Sequence, residues 1–385
     1  MGRLLVTLEL PGCCELNDEA LAEAALSFPA LEHVSIERCS LVGTVGVCAL
    51  ARECEFLASL NANDVNPDTF DDHAIVALAD CRSLTELSVA RACQITDCAI
   101  EALAGAASGR LRAIDVSYCE RLTDASVGAL VAAGGALERL GAASLPRLSG
   151  VACIAGLSSL VALNLSGILP SQMSAHDFAL LALSLPHLTS LELEQWYGAR
   201  DTALEAMHAL KLERLSVCYA VVTYPYLTDG AFSDLFAIAG RSLVDLDLSW
   251  CEHVGDSSLR ALAKAARGLK RLRVNTCMAI TDAGVIALVL DEEQAEVVGA
   301  CSLTELDIGG CSAITDSAVL SVARNACRMS RLTLSGLPLL TQVSPRAVMK
   351  WLPSIELVDF SGCTGIPLFV LKAMQMDLQM EEVGA

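Results

Sequence analysis

The sequence has 385 residues, of which 54% are hydrophobic and 19% are charged, and its formal net charge is −20. This composition is too apolar for a disordered chain, and the negative charge argues against nucleic acid as a partner, because a phosphate backbone requires a basic face. No apolar run reaches the ~18 residues of a membrane helix, so we expect a soluble protein without membrane association.

A unit of about 26 residues recurs along the whole chain, and one copy reads LVDLDLSWCEHVGDSSLRAL from Leu243 to Leu262. Its first half alternates like a strand buried on one side, and its second half has the three-residue spacing of a short helix. The units begin at these apolar residues: Leu5, Leu31, Leu57, Leu84, Leu111, Leu137, Leu160, Leu188, Leu212, Leu243, Leu269, Leu303, Met329 and Ile355. The sequence therefore predicts a single repeat domain over residues 1–385.

Each unit predicts one strand, one turn, one helix and a return. In the copy LTELDIGGC, Leu303, Leu306 and Ile308 have the spacing of core residues, whereas Glu305 and Asp307 alternate with them and face outward. No unit can bury its apolar side alone, so neighbouring units must stack. We expect an α/β solenoid of horseshoe shape with about fourteen repeats, a parallel sheet on its concave side and helices on its convex side.

A cysteine stands eight residues after the first apolar residue in seven units: Cys13, Cys39, Cys119, Cys251, Cys277, Cys311 and Cys363. A disulfide framework would not require thiols at one place in the repeat. A metal ion needs sulfur ligands at ~2.3 Å, but cysteines one repeat apart are separated by ~4.8 Å. We expect reduced thiols that pack as small apolar residues, with no metal and no cofactor.

An aspartate stands near the start of the predicted helix in ten units: Asp18, Asp72, Asp97, Asp124, Asp177, Asp201, Asp229, Asp256, Asp282 and Asp316. Apolar residues follow most of them after three and six positions, which is the pattern expected after an N-cap. We predict that each carboxylate caps its own helix by accepting a backbone N–H from the first turn, at ~1 kcal/mol per cap.

The unit L-x-x-L-x-L-x-x-C-x-x-[ILV]-[TG]-D resembles the cysteine-containing class of leucine-rich repeats. Three copies match closely: LRAIDVSYCERLTD at 111–124, LKRLRVNTCMAITD at 269–282 and LTELDIGGCSAITD at 303–316. The best-known proteins with such repeats are the F-box and leucine-rich-repeat proteins. Their repeats hold a substrate for a cullin-based ubiquitin ligase, and an N-terminal F-box docks the ligase adaptor. Similar repeats occur in flagellar and other cytoskeletal assemblies.

The first repeat begins at Leu5, which leaves no room before it for the helical F-box that the resemblance implies. We therefore expect the substrate-binding arm without a visible adaptor-docking module. The first repeat also lacks an obvious polar cap, which solenoids need for solubility, so a neighbouring subunit that covers this repeat is a further hypothesis.

No recognisable catalytic pattern is present. The six histidines form no Ser/His/Asp or Cys/His arrangement visible in the sequence, and there is no Gly-rich phosphate loop, HExxH helix or nucleophile elbow. Since a regular solenoid rarely supplies a closed pocket, we expect a protein that is not an enzyme.

Charged residues at the outward strand positions form one candidate surface: Glu192, Glu194, Asp245, Asp247, Arg271, Arg273, Glu305 and Asp307. The acidic pairs dominate, and the arginines interrupt them. Two interpretations stay open, namely a solvated sheet face with cross-strand charge pairs and a docking surface for a basic segment of a protein partner.

Aromatic residues are only 4% of the chain, yet five candidate binding residues fall in three consecutive units: Trp196, Tyr219, Tyr224, Tyr226 and Trp250. Trp196, Tyr219 and Trp250 stand at the ends of their strands, and Tyr224 and Tyr226 lie in an unusually long unit. Repeat insertions often bind, and Tyr and Trp dominate interface energetics. The alternative is that these rings only seal a longer loop.

These patterns together predict a non-catalytic protein–protein interaction scaffold in the cytoplasm, with the nucleus or the cytoskeleton as alternatives. Its most specific version is the substrate-recognition arm of an F-box-type ubiquitin ligase. The alternative function is a permanent structural subunit of a large cytoskeletal or organellar assembly.

Overall fold

The computed structural model describes residues 5–169, 172–196, 200–219, 227–290 and 302–374, and the chain divides into two compact units, Met1–Leu193 and Glu194–Ala385. Each unit has a parallel sheet on one face and helices on the other. Within the described residues, none of the helices combines the length and the apolar character that a bilayer-spanning helix requires. The single domain over residues 1–385 stays a prediction.

In the first unit, eight three-residue strands pair in parallel in chain order. The strands are β1 (Thr7–Glu9), β2 (His33–Ser35), β3 (Ser59–Asn61), β4 (Glu86–Ser88), β5 (Ala113–Asp115), β6 (Arg139–Gly141), β7 (Ala162–Asn164) and β8 (Ser190–Glu192). The helices are α1 (Asp18–Ser27), α2 (Thr44–Glu53), α3 (Asp72–Ala79), α4 (Asp97–Ala106), α5 (Asp124–Ala132) and α6 (Ala175–Ser184), with a 3-10 helix at Val151–Gly156.

In the second unit, six three-residue strands pair in the same way. They are β9 (Arg214–Ser216), β10 (Asp245–Asp247), β11 (Arg271–Arg273), β12 (Glu305–Asp307), β13 (Arg331–Thr333) and β14 (Leu357–Asp359). The helices are α7 (Asp201–Ala206), α8 (Asp229–Ala239), α9 (Asp256–Ala265), α10 (Asp282–Val289), α11 (Asp316–Asn325) and α12 (Val343–Trp351), with 3-10 helices at Met207–Ala209 and Gly240–Ser242.

The repeated apolar positions form the core of each unit. Leu246 is the central residue of β10 and is fully buried, and so is Leu248 just beyond the strand. On the other side of the repeat, α9 buries Leu259 and Leu262, which lie one turn apart on the same helix face. The predicted α/β repeat of one parallel strand followed by a helical segment is confirmed.

The aspartates do not cap their own helices as the spacing suggested. Helix α9 begins at Asp256, after the N-cap Gly255, and α10 begins at Asp282, after the N-cap Thr281. The carboxylate of Asp256 accepts the backbone N–H of Thr281 at 2.9 Å and its hydroxyl at 2.7 Å. The prediction was wrong because the aspartate lies one residue inside the helix, from where its carboxylate reaches the next repeat.

This contact recurs between neighbouring repeats. The pairs are Asp18 with Gly43, Asp72 with Thr96, Asp97 with Thr123, Asp124 with Ser149, Asp201 with Thr228, Asp229 with Gly255, Asp282 with Thr315 and Asp316 with Thr341. Asp177 is different, since it forms a capping box with Ser174 of its own helix. We call the recurring contacts the aspartate ladder.

At Asp229, the contacts of the ladder favour the ionised carboxylate. Burial alone would raise the pKa of the Asp229 carboxyl, but hydrogen bonds from the hydroxyl of Ser258 and from the N–H groups of Gly255 and Ser258 outweigh it and lower the pKa. The charged form of Asp229 is therefore the one that the folded structure stabilises.

We expect Asp256→Ala to lower the free energy of unfolding by about 2 kcal/mol, because the N–H and the hydroxyl of Thr281 lose a charged acceptor. Urea unfolding measures this loss. The matched control is Asp234→Ala, which removes an exposed carboxylate on α8 and should change stability by less than about 0.5 kcal/mol. Equal stability of the two variants would contradict a role for Asp256 between repeats.

Candidate functional site

Each repeat turns after its strand through one residue with positive φ, directly before the cysteine position. Glycine occupies this turn in five repeats: Gly12, Gly167, Gly310, Gly336 and Gly362. In the other repeats the residue carries a side chain: Arg38, Asp64, Arg91, Tyr118, Ser144, Gln195, Tyr219, Trp250 and Thr276. We call this set the left-handed turn positions. A side chain there costs roughly 1 kcal/mol relative to glycine, because Cβ crowds the following carbonyl.

Tyr219 and Trp250 occupy this turn in neighbouring repeats, and their rings stack. Their φ angles are 52° and 64°, their ring centroids lie 5.2 Å apart, and the ring planes differ by 12°. Tyr219 is 43% exposed and Trp250 is 46% exposed. The backbone below them is held, since the N–H of Trp250 donates to the carbonyl of Asn275 at 2.7 Å. We call these two residues the aromatic pair.

The aromatic pair combines backbone strain with exposed apolar surface. A bulky residue with positive φ is an outlier that costs about 1–3 kcal/mol, and stacking returns only about 0.5–1.5 kcal/mol. Stability therefore gives no reason to prefer aromatic rings over glycine at these turns. A rigid, solvent-facing pair of rings is the kind of surface that anchors a partner.

Trp196 does not belong to this exposed surface, which corrects the expectation from the sequence. Its side chain is only 3% exposed. Trp196 stands eight residues after Leu188, at the buried cysteine position, whereas Tyr219 stands seven residues after Leu212. This shift of one residue sends the indole of Trp196 into the core. Tyr224 and Tyr226 lie outside the described residues.

A third aromatic turn residue lies in the first unit, and sequence reasoning missed it. Tyr118 is 37% exposed, and the guanidinium of Arg91, from the preceding repeat, lies 4.6 Å from the centre of its ring. The position directly before the repeat cysteine was the signal that would have found both Tyr118 and the aromatic pair.

Charges on the sheet face of the second unit alternate in sign from strand to strand. The residues are Arg214 on β9, Asp245 and Asp247 on β10, Arg271 and Arg273 on β11, Glu305 and Asp307 on β12, and Arg331 on β13. The register places Asp245 opposite Arg271, whose Nε lies 2.8 Å from Oδ2 of Asp245. Nη1 of Arg273 lies 3.5 Å from Oδ1 of Asp245 and 3.6 Å from Oδ2 of Asp247.

Cross-strand charge pairing is therefore present on this face. On β9 to β13, the four carboxylates face four arginines, so these five strands carry balanced charge, and β14 adds the carboxylate of Asp359. Asp307 is further engaged, because its Oδ1 accepts the N–H of Gly309 at 2.9 Å. The docking of a basic segment at these strands stays a prediction.

The first unit has a groove on its sheet face that the sequence did not suggest. Its volume is about 390 Å³, and small residues such as Ala113, Gly141 and Ala162 form part of its lining. The glycine at position 141 leaves room for Asp115, because a Cβ there would collide with the Asp115 side chain unless that side chain moved. Glu192 also lines this groove, whereas Glu194 belongs to the second unit, and both are exposed.

The cysteine position joins neighbouring repeats through the backbone. The thiol of Cys251 donates to the carbonyl of Val217 at 2.9 Å, and that of Cys277 donates to the carbonyl of Leu248 at 3.1 Å. Burial raises the pKa of the Cys119 thiol to about 12. The predicted packing is confirmed for Cys39, Cys119, Cys251, Cys277, Cys311 and Cys363, which are buried, but Cys13 is exposed. The described residues include no group of three or more side chains placed to hold a metal ion.

Strand, left-handed turn, buried cysteine and helix define a leucine-rich repeat, and this chain has the leucine-rich-repeat fold. A family model described as Leucine Rich repeat matches residues 241–263 and 299–323. A chain in the crystal structure of the Rad7 and Elc1 complex in yeast aligns with a TM-score of 0.67 at 21% identity, over 89% of this chain and 83% of that chain. A chain in the TLR13–ssRNA13 complex aligns with a TM-score of 0.51 at 16% identity, over 86% of this chain and 43% of that chain.

Two curated relatives are similar over a shorter part of the chain, and both are named Antagonist of mitotic exit network protein 1. The protein from Eremothecium gossypii is 33% identical over 125 residues, which cover 32% of this chain and 32% of the relative. The protein from Candida glabrata is 28% identical over 129 residues, which cover 33% of this chain and 25% of the relative. The similarity thus spans a third or less of each relative's length.

We expect the exposed thiols of Cys98 and Cys327 to react with N-ethylmaleimide in the native protein, and the buried Cys119 to react at least about tenfold more slowly than either. The reason is the low thiolate fraction that follows from its raised pKa, added to burial. Peptide mapping after timed labelling measures the rates, and the urea-unfolded chain is the control. Equal native rates for Cys98 and Cys119 would contradict the structure.

We expect Tyr219→Gly and Trp250→Gly each to change the free energy of unfolding by less than about 1 kcal/mol, because relief of the left-handed turn offsets the lost stacking. Leu246→Ala is the contrasting core variant and should cost about 2–5 kcal/mol. Thermal or urea unfolding compares the three. A loss for Trp250→Gly as large as that for Leu246→Ala would show that the ring is part of the core.

Proposed function

We propose that this chain is a non-catalytic protein-interaction scaffold that binds a partner through the aromatic pair and the neighbouring charged strands. The aromatic pair carries this proposal. Tyr219 and Trp250 expose two stacked rings at a turn where five other repeats have glycine, so their surface is available for a partner. Tyr and Trp are also enriched among the residues that contribute most to binding energy.

The chemistry around the pair favours a basic side chain in the partner. An indole face attracts a guanidinium or an ammonium group. The carboxylate of Asp247 lies three residues before Trp250 in the chain and accepts the N–H of Ser249 at 3.0 Å. Arg273 already neutralises part of this charge, so we place the main binding energy in the rings and assign the charges to orientation.

The more specific proposal is the substrate-recognition arm of an F-box-type ubiquitin ligase. The similar yeast structure is a complex of Rad7 and Elc1, which supports assembly with another protein as a use of this fold. The partial relatives are named antagonists of the mitotic exit network, which supports a regulatory role in the cytoplasm or the nucleus.

A permanent structural subunit is the second candidate, and one observation favours it. The first repeat exposes the apolar side chains of Val6, Leu26 and Phe28, which a neighbouring subunit would cover. In that case the partner binds at the first repeat and not at the aromatic pair.

We expect the amount of co-purifying partner to fall at least about tenfold in the double variant Tyr219→Gly/Trp250→Gly, since two anchoring rings are removed without unfolding the chain. Quantitative affinity purification from native cells measures the loss, and Tyr118→Gly is the matched control in the first unit.

An unchanged set of partners on the folded double variant would remove this surface from consideration. Among the partners that the wild-type chain retains, cullin-adaptor subunits would support the ligase role. Stoichiometric subunits lost on Leu26→Glu, and not on the double variant, would support the structural role.

A further inference from the structure

We infer that the groove between α8 and α9 is a docking site for an acidic segment of a partner protein. The groove has a volume of about 480 Å³ and lies on the helix face of the second unit. Arg241, Arg260 and Lys264 line it, and all three are exposed. We call it the basic groove. It is a second surface, and it does not depend on the function proposed for the aromatic pair.

The helix periodicity places these cations on one side of the groove and at one of its ends. Arg260 and Lys264 are four residues apart on α9, so their side chains lie one above the other on the same helix face. Arg241 follows the end of α8, in the short 3-10 helix Gly240–Ser242. A chain lying along the groove would thus meet positive charge repeatedly.

The groove is open because its remaining lining is small. Ala237 on α8 and Ala261 and Ala265 on α9 contribute only methyl groups. The helices also pack closely where α8 ends, since a Cβ on Gly240 would lie 3.3 Å from Cβ of Ala265. A partner segment can therefore approach the helix backbones and place its own side chains beside the three cations.

The charge of the groove specifies its occupant. None of the three cations has a carboxylate within ion-pair distance among the described residues, and no acidic side chain lines the groove. A short segment rich in Asp and Glu complements the groove. A long polyanion such as nucleic acid fits less well, because the protein has a net charge of −20 and would repel the phosphate groups that lie outside the groove.

The test measures the binding of a fluorescein-labelled helical peptide, rich in Glu and Ala, to the full chain. Fluorescence anisotropy of the peptide reports the dissociation constant. We expect the double variant Arg260→Glu/Lys264→Glu to weaken binding by about tenfold or more. The matched control, Arg121→Glu/Arg147→Glu, makes the same change in net charge at exposed positions of the first unit and should change affinity less than about twofold. Ala261→Trp fills the groove without changing charge and should also weaken binding.

Several results would overturn the inference. One is the absence of binding to the wild-type chain at about millimolar peptide. Another is equal weakening by the groove variant and the control, which would indicate only a general electrostatic effect. A third is a wild-type dimer in sedimentation that Arg260→Glu/Lys264→Glu dissociates, because the groove would then hold a second copy of the chain.

Discussion

The rest of the structure depends on hydrogen bonds that cross from one repeat to the next. No repeat has a core of its own, so its strand, turn and helix are defined only when a neighbour is stacked against them. The carboxylate of Asp256 bridges to Thr281, and the thiol of Cys277 reaches back to the carbonyl of Leu248. In the repeats that contain them, the aspartate and the cysteine each make the same hydrogen bond to a neighbouring repeat.

This repeated geometry separates positions that must be kept from positions that are free to vary. Every repeat has the left-handed turn, but the side chain of the residue at this turn points away from the core. A glycine, which has no side chain, would be sufficient for the fold. A residue with a large side chain at this turn therefore lowers the free energy of unfolding and adds exposed surface. Tyr219 and Trp250 use the turn in this way, and Arg91 and Tyr118 do so in the first unit.

The two faces of the second unit differ in how they handle charge. On the sheet face, the parallel register sets Asp245 against Arg271, so opposite charges satisfy one another within the protein. On the helix face, Arg260 and Lys264 have no such counterparts among the described residues and remain available to an outside carboxylate. Under the two proposals made above, the unit would have an aromatic anchor and a separate cationic groove, and each would select a chemically different partner.

The sequence alone determined the repeat, because burial of one side places apolar residues at every second position of a strand and at every third or fourth position of a helix. It therefore identified the inward positions of Leu303, Leu306 and Ile308, and the thiols as packing residues. Only the tertiary structure decided what depends on the neighbouring repeat. A shift of one residue buries Trp196 and exposes Trp250, and the aspartates bind across repeats because their helices begin one residue earlier than the spacing indicated. The charge pairs on the sheet and the basic groove between α8 and α9 were also decided by the tertiary structure. Each forms from residues of different repeats, and the periodicity within one repeat does not show which of these residues meet.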